Sequence, residues 1–278
     1  MKSNYYGPFL LLGAYLLYSV AHGLVKVLSG SVPPTQLMFA RFIVAPFLLY
    51  PLYLLGKKTY RMTSPWLMAA RVICGCTAMF FFFVAVKIGD IGKATLLFQF
   101  CTIWTFIASM LFFGERPSLY SKMAIPFAFI GLIMVLQPDF RTGIEIGDIY
   151  ALLASFFYTG VVLSLKKLRV DNDSTSIIIT NYSLASVFML PAAGQWIWLS
   201  TSQWVLVGLM ATFGLTGQYL FTAGYKYTDA SIASAMALIG VPIMFVFGAL
   251  CFGEVVNTMA IVGVCMVLTS LFVVTKYQ

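Results

Sequence analysis

The chain has 278 residues, 61% of them hydrophobic and only 9% charged, against about 25% charged residues in an average soluble domain. A water-soluble fold is therefore excluded. The net charge of +8 is scattered between long apolar runs and forms no single basic face, which excludes nucleic acid as a partner and leaves a helical protein built into a lipid bilayer.

Ten apolar segments follow in chain order. The first, 6–28, carries no charge before Lys26. It is too long for the apolar core of a secretory signal and lacks a small-residue cleavage pattern after it, so it reads as a membrane span. Tyr18 and the only histidine, His22, stand four residues apart in it and share a helix face. Ser-Gly-Ser-Val-Pro-Pro at 29–34 closes it. The second segment, 35–55, contains Arg41-Phe42, and the third, 65–87, contains Arg71 and then the run Phe80 to Phe83. Each arginine lies about six residues, or roughly 9 Å at 1.5 Å per residue, below its helix start. A charge at that depth is a candidate functional group, although a side chain of this length also snorkels to the interface. Arg71 is read as a candidate anion-binding group and Arg41 as structural. The fourth segment, 92–113, carries Gln99 and Trp104; the fifth, 118–137, begins just after Pro117, which suits a first helical turn.

The second half contributes segments at 148–167, with Tyr158; 174–198, with Asn181; 203–225, with Gln218; 230–252; and 256–275. From Ser174 to Tyr225 there are 52 uncharged residues, enough for two passes of about 20 residues each. A polar side chain at membrane depth needs a partner, which is either a neighbouring helix or a substrate. On that ground Arg71, His22, Tyr18, Tyr158, Gln99, Trp104, Gln218 and Asn181 are the candidate substrate-binding residues. His22 has two readings, a satisfied packing residue or a titratable group in a cavity. All nine carboxylates fall in loops or at helix ends, and the five cysteines fall in apolar segments as small hydrophobes.

The two halves repeat. Leu-Phe-Phe-Gly-Glu at 111–115 and Leu-Cys-Phe-Gly-Glu at 250–254 lie 139 positions apart, and that offset aligns nine identities in 34 gapless positions, including Lys87 with Lys226 and Asp90 with Asp229. An offset of 140 aligns Tyr18 with Tyr158 and Lys26 with Lys166. Each half, 1–140 and 141–278, then holds five helices. Five is odd, so the second half enters the bilayer inverted, and the two form one transport domain. Inverted repeats characterise secondary transporters, in which exchanging the conformations of the halves moves the access route across the membrane. Gly114 and Gly253 suit helix C-terminal positions. Glu115 and Glu254 then stand at the start of the fifth and tenth helices, facing the positive end of the helix dipole in a structural role.

With the amino terminus in the cytoplasm, eleven basic residues fall on the cytoplasmic side and four (Lys26, Lys87, Lys93 and Arg141) outside. This bias places both termini in the cytoplasm. The ten segments, Arg41-Phe42 and the two Phe-Gly-Glu corners resemble the EamA family of the drug/metabolite transporter superfamily over essentially the whole chain. The resemblance implies a cavity lined by the first, third, fourth, sixth, eighth and ninth helices, with the fifth and tenth more peripheral, and leaves the substrate open. The stretch from Arg71 to Glu115 is similar to the branch that includes S-adenosylmethionine uptake proteins.

The reading is a multi-pass protein of the cytoplasmic membrane that moves a small organic metabolite by alternating access. The metabolite is an amino acid or related zwitterion or anion, or a nucleoside-like cofactor, since no buried acid offers itself to a cation. A membrane-embedded enzyme would need a nucleophile with a base or a metal cluster, and a passive channel would need a continuous polar pore. No cofactor motif occurs, and no nucleotide-binding loop. Neither import nor export is specified, and neither a monomer nor a homodimer.

Overall fold

The computed structural model describes residues 5–55, 60, 62–89, 91–141, 143–188, 190, 197–253 and 256–277. Of the residues singled out above, Asp90 and Glu254 lie outside these. The described elements are helical: α1 (Tyr6–Ser29), α2 (Pro34–Leu55), α3 (Pro65–Ile88), α4 (Ile91–Phe98), α5 (Cys101–Phe113), α6 (Leu119–Leu136), α7 (Ile146–Asp171), α8 (Ser174–Phe188), α9 (Thr201–Gly224), α10 (Ala230–Met236), α11 (Gly240–Phe252) and α12 (Thr258–Lys276).

Among the described residues, eight helical stretches are long and apolar enough to cross a membrane, with α4–α5 and α10–α11 each counted as one. The second and seventh predicted segments differ. The helix α2 has 22 residues with Pro46 and Pro51 inside it, and among its described residues Phe39–Leu48 form an apolar helical stretch. The helix α8 is described over Ser174–Phe188, and Ile197 and Trp198, which the sequence placed in this segment, are not helical.

The fourth and ninth segments were each expected as one helix, and both are interrupted. The first break falls at Gln99 and Phe100, between α4 and α5. The second is a 3-10 turn at Ala237–Ile239, between α10 and α11. At the repeat offset of 139, Gln99 corresponds to Leu238, so the interruptions are equivalent. Hydrogen bonding tightens to i→i+3 at both: Phe100 N–H donates to Leu97 O, and Ala237 N–H to Ser234 O. Neighbouring side chains bind carbonyls at the breaks, Thr159 the Cys101 oxygen at 3.4 Å and Thr102 the Ser234 oxygen at 3.1 Å. Side-chain donors of this kind are how an interrupted helix is tolerated at membrane depth.

The most extensive helix pairings are α1 with α9, α3 with α7, and α6 with α12. Lipid is as apolar as a leucine, so close backbone approach and hydrogen bonds must hold such helices together. The approach is extreme where α6 meets α12. A Cβ on Gly263 would lie 2.5 Å from Gly131 O, and one on Gly131 would lie 2.7 Å from Gly263 O.

Gly114 and Gly253 have φ of 65° and 64°, left-handed, at the ends of α5 and α11. Glu115 does not cap the helix that follows it. Its carboxylate crosses to the other half and accepts from Ala230 N–H at 2.7 Å, Ser231 N–H at 3.0 Å and Ser231 Oγ at 2.7 Å, at the start of α10. Ser118 caps α6 instead, through Ser121 N–H. Asp148 also differs from a solvated helix-end carboxylate. It completes a capping box with Glu145 on α7 and pairs with Lys93 of α4 at 2.6 Å, with side chains only 9% and 6% exposed.

Candidate functional site

The interior faces of α1 and α9 carry parallel stripes. Tyr15, Tyr18 and His22 follow at i, i+3 and i+7, as do Gln218, Phe221 and Tyr225, so each set lies along one helix face. The Tyr18 hydroxyl donates to Gln218 Oε1 at 2.7 Å. Phe221 stands 6.1 Å from Tyr15, 6.2 Å from Tyr18 and 4.8 Å from Tyr225, ring centre to ring centre. His22 stacks on Tyr18 with the rings 16° from parallel. His22 is exposed and Tyr18 half-buried although both sit on this face, so the face is open to the space beside them.

Two arginines reach the same space. Arg41 of α2 lays its guanidinium against Gly214 of α9, where a Cβ would be 3.0 Å from Nε and 3.1 Å from Cζ. A side chain at 214 would press on the guanidinium and make it shift. The Arg41 Cζ is 5.9 Å from the Tyr18 ring centroid, within range of a cation–π contact. Arg71 of α3 is 3% exposed. Its Nη1 donates to Val161 O of α7 at 2.9 Å, and Tyr158, Tyr18, Tyr225 and Tyr182 lie within its electrostatic reach. The Nε atoms of both arginines are buried without a hydrogen-bond partner. Tyr158 stands beside Phe98, at the end of α4 just before the first break, with the rings 5.3 Å apart. The cluster of arginines and tyrosines, hereafter the chamber, therefore stands at the level where α4 gives way to α5.

No ion pair joins either arginine to a described carboxylate. Asp148 is held by Lys93, Asp229 lies 3.6 Å from Lys166, and Glu115 is bound at the start of α10. A cleft of about 870 Å³ elsewhere makes the contrast. It opens between the start of α1 and the α7–α8 junction, and there Arg169 and Lys226 are matched by Asp171 and Asp173. Around Arg41 and Arg71 no described residue supplies a counter-charge, and a buried charge without one costs several kcal/mol. One hydrogen bond to a carbonyl offsets only about 1.5–3 kcal/mol of that.

Of the residues expected from sequence, Tyr18, His22, Arg71, Tyr158 and Gln218 come together. Gln99 lies half-buried at the first break. Trp104 does not join them, since its Nε1 donates to Ser155 of α7 at 3.1 Å and its ring is 38% exposed. Asn181 is half-buried next to Tyr182, and it is Tyr182 that faces Arg71. Arg41, read as structural, is a member of the cluster. Tyr15, Tyr182 and Tyr225 were missed. The heptad-like stripes on α1 and α9 carried the signal for Tyr15 and Tyr225; nothing local marks Tyr182.

Comparison with known proteins agrees with this architecture. The EamA-like transporter family matches the chain twice, over residues 5–137 and 145–276. The pseudopaline exporter CntI of Pseudomonas aeruginosa is 22% identical over 275 residues, covering 97% of this chain and 96% of that protein. The S-adenosylmethionine uptake transporter of Rickettsia conorii is 22% identical over 246 residues, covering 86% of this chain and 80% of its own. A protein of 16% identity has a crystal structure that superimposes with a TM-score of 0.82 over 97% of this chain and 98% of that one, which shows a shared fold.

Proposed function

Since the chain belongs to the EamA-like transporter family, we propose that it is a secondary transporter that moves a small zwitterionic or anionic metabolite by alternating access between two inverted five-helix repeats. The observation that carries this reading is the placement of unneutralised Arg71 among tyrosines beside the break in the fourth predicted helix. Interrupted helices at corresponding places of two repeats mark the substrate site in many transporters, because unwound backbone and half-helix ends offer polar groups at mid-membrane. The repeat is also mirrored in the pairings: the first helix of each half, α1 or α7, lies along the third helix of the other, α9 or α3. Rocking these two cross-paired units against each other would open the chamber to one side and then to the other.

In this reading ten helices span the membrane, α2 and α8 among them, and both termini face the cytoplasm. Arg71 and the tyrosine hydroxyls hold the acid group, Gln218 and Tyr18 fix its orientation, and the rings of Tyr15, Phe221 and Tyr225 take the apolar portion. Those rings would also stack on a purine, which makes a nucleoside-like cofactor the second substrate class to test.

Thermal-shift measurements on the purified protein with amino acids, organic acids, nucleosides, S-adenosylmethionine and organic cations, followed by uptake into proteoliposomes, test the proposal. Saturable uptake that is accelerated by substrate loaded on the far side, and lost in Arg71→Ala, is expected. Linear uptake without such acceleration would mark a channel, and recovery of chemically altered substrate would mark an enzyme. Tight binding of simple organic cations, with amino acids and nucleosides ignored, would overturn the substrate class.

A further inference from the structure

We propose that the cargo is a diacid, an organic metabolite with two acid groups, one seated on Arg41 and the other on Arg71. This rests on the transporter reading and narrows its substrate class.

The chamber holds two guanidinium groups, and they are held separately. Arg71 is tied from α3 to the Val161 carbonyl of α7 at 2.9 Å, whereas Arg41 reaches from α2 onto the bare backbone at Gly214 of α9. Each keeps a buried Nε without a partner. The Arg41 Cζ is 5.9 Å from the Tyr18 ring centroid, and both arginines lie within electrostatic reach of Tyr18 and Tyr158, so the two cations share one group of tyrosines. A carboxylate binds a guanidinium best as a fork, with two parallel N–H···O bonds. One acid group can fork one arginine. The other would then remain an uncompensated charge at membrane depth, an arrangement disfavoured unless a partner is supplied.

The described part of the protein supplies none, because Asp148, Asp229 and Glu115 are committed elsewhere. The hydroxyls of Tyr158, Tyr182 and Tyr225 make no hydrogen bond to a described residue, and they suit the outer lone pairs of two carboxylates. The cation–π contact of Arg41 with Tyr18 keeps that guanidinium beside the tyrosines without neutralising it. A cargo with two acid groups, one for each arginine, is the simplest partner that completes both forks.

The test compares diacids with their own half-blocked forms. Wild-type protein in lipid nanodiscs is titrated calorimetrically with succinate, glutarate and adipate, and with the monomethyl ester of each. One chain length is expected to bind best, and its monomethyl ester to bind roughly tenfold or more weakly, as expected for losing a charge-assisted pair. Arg41→Gln and Arg71→Gln are each expected to weaken the diacid by a similar factor and to abolish discrimination between diacid and ester. Equal binding of diacid and ester to the wild type overturns the diacid proposal. If either compound is then taken up saturably, the transporter reading survives as a single-anion site. If no acid binds and nucleosides or organic cations do, both the diacid and the anionic-cargo readings fail. The wild-type comparison needs no variant, so misfolding of an arginine variant leaves the proposal decided.

Discussion

Replacing Glu115 tests whether the repeated Phe-Gly-Glu corner ties the two halves together. Its carboxylate accepts three hydrogen bonds at the start of α10, from Ala230 N–H, Ser231 N–H and Ser231 Oγ. Hydrogen bonds to a charged acceptor contribute about 1.5–3 kcal/mol each when buried, and loss of a helix N-cap costs about 0.5–2 kcal/mol. Glu115 is half-buried, so water replaces part of what is lost, the three bonds act together as one cap and do not add at their buried values, and Glu115→Ala should cost about 2–3 kcal/mol. Ser231→Ala removes one bond of the three and should cost about 1 kcal/mol. Glu115→Gln keeps an acceptor oxygen and should fall between them. At about 2–4 °C per kcal/mol for a chain of this size, Glu115→Ala lowers the apparent Tm in detergent by about 4–12 °C. Ser231→Ala added to Glu115→Ala should then cost little more, giving a coupling of about 1 kcal/mol in the double-mutant cycle. A Glu115→Ala protein that melts with the wild type, or strictly additive costs, would refute the cap. It would return Glu115 to a solvated corner residue.

Three further outcomes are expected. Gly263→Ala places a Cβ 2.5 Å from the Gly131 carbonyl oxygen, and since backbone cannot step aside, α6 and α12 must separate at a cost of about 1–3 kcal/mol; Gly208→Ala, with nothing within 4 Å of its Cβ, should melt with the wild type. Asp148→Asn removes the carboxylate 2.6 Å from buried Lys93, which keeps its bond to Gly143 O, so thermal unfolding should show a loss of about 1–3 kcal/mol, below the roughly 3–5 kcal/mol of a fully broken buried pair, and Lys93→Met with Asp148→Leu should recover most of it. Tyr18→Phe strands the Gln218 oxygen now bonded at 2.7 Å, which should cost about 1–2 kcal/mol, whereas Tyr18→Phe with Gln218→Leu should come closer to wild-type stability because both partners are then apolar.

Membrane residence could be read from composition alone, because burying helices in lipid requires long uncharged runs and these have few other uses. Matching Lys, Asp, Glu and Gly positions in two halves also pointed to a duplication before any coordinates, since apolar residues align by chance far more readily than these. Left-handed Gly114 and Gly253 were equally legible, for only glycine ends a helix there without strain. Arg71, Tyr18, His22 and Gln218 stood out because polar groups at membrane depth need a partner. What that partner is depends on neighbours hundreds of residues away, and there the sequence was silent. Arg41 reads as an interfacial anchor until Gly214 is seen beneath its guanidinium, and Glu115 reads as the cap of its own helix until α10 arrives from the other half. The interruptions at Gln99–Phe100 and Ala237–Ile239 leave no proline or glycine at the break itself. Threonine hydroxyls on packed helices donate to carbonyls beside both breaks, a condition set by tertiary contact and not by local propensity.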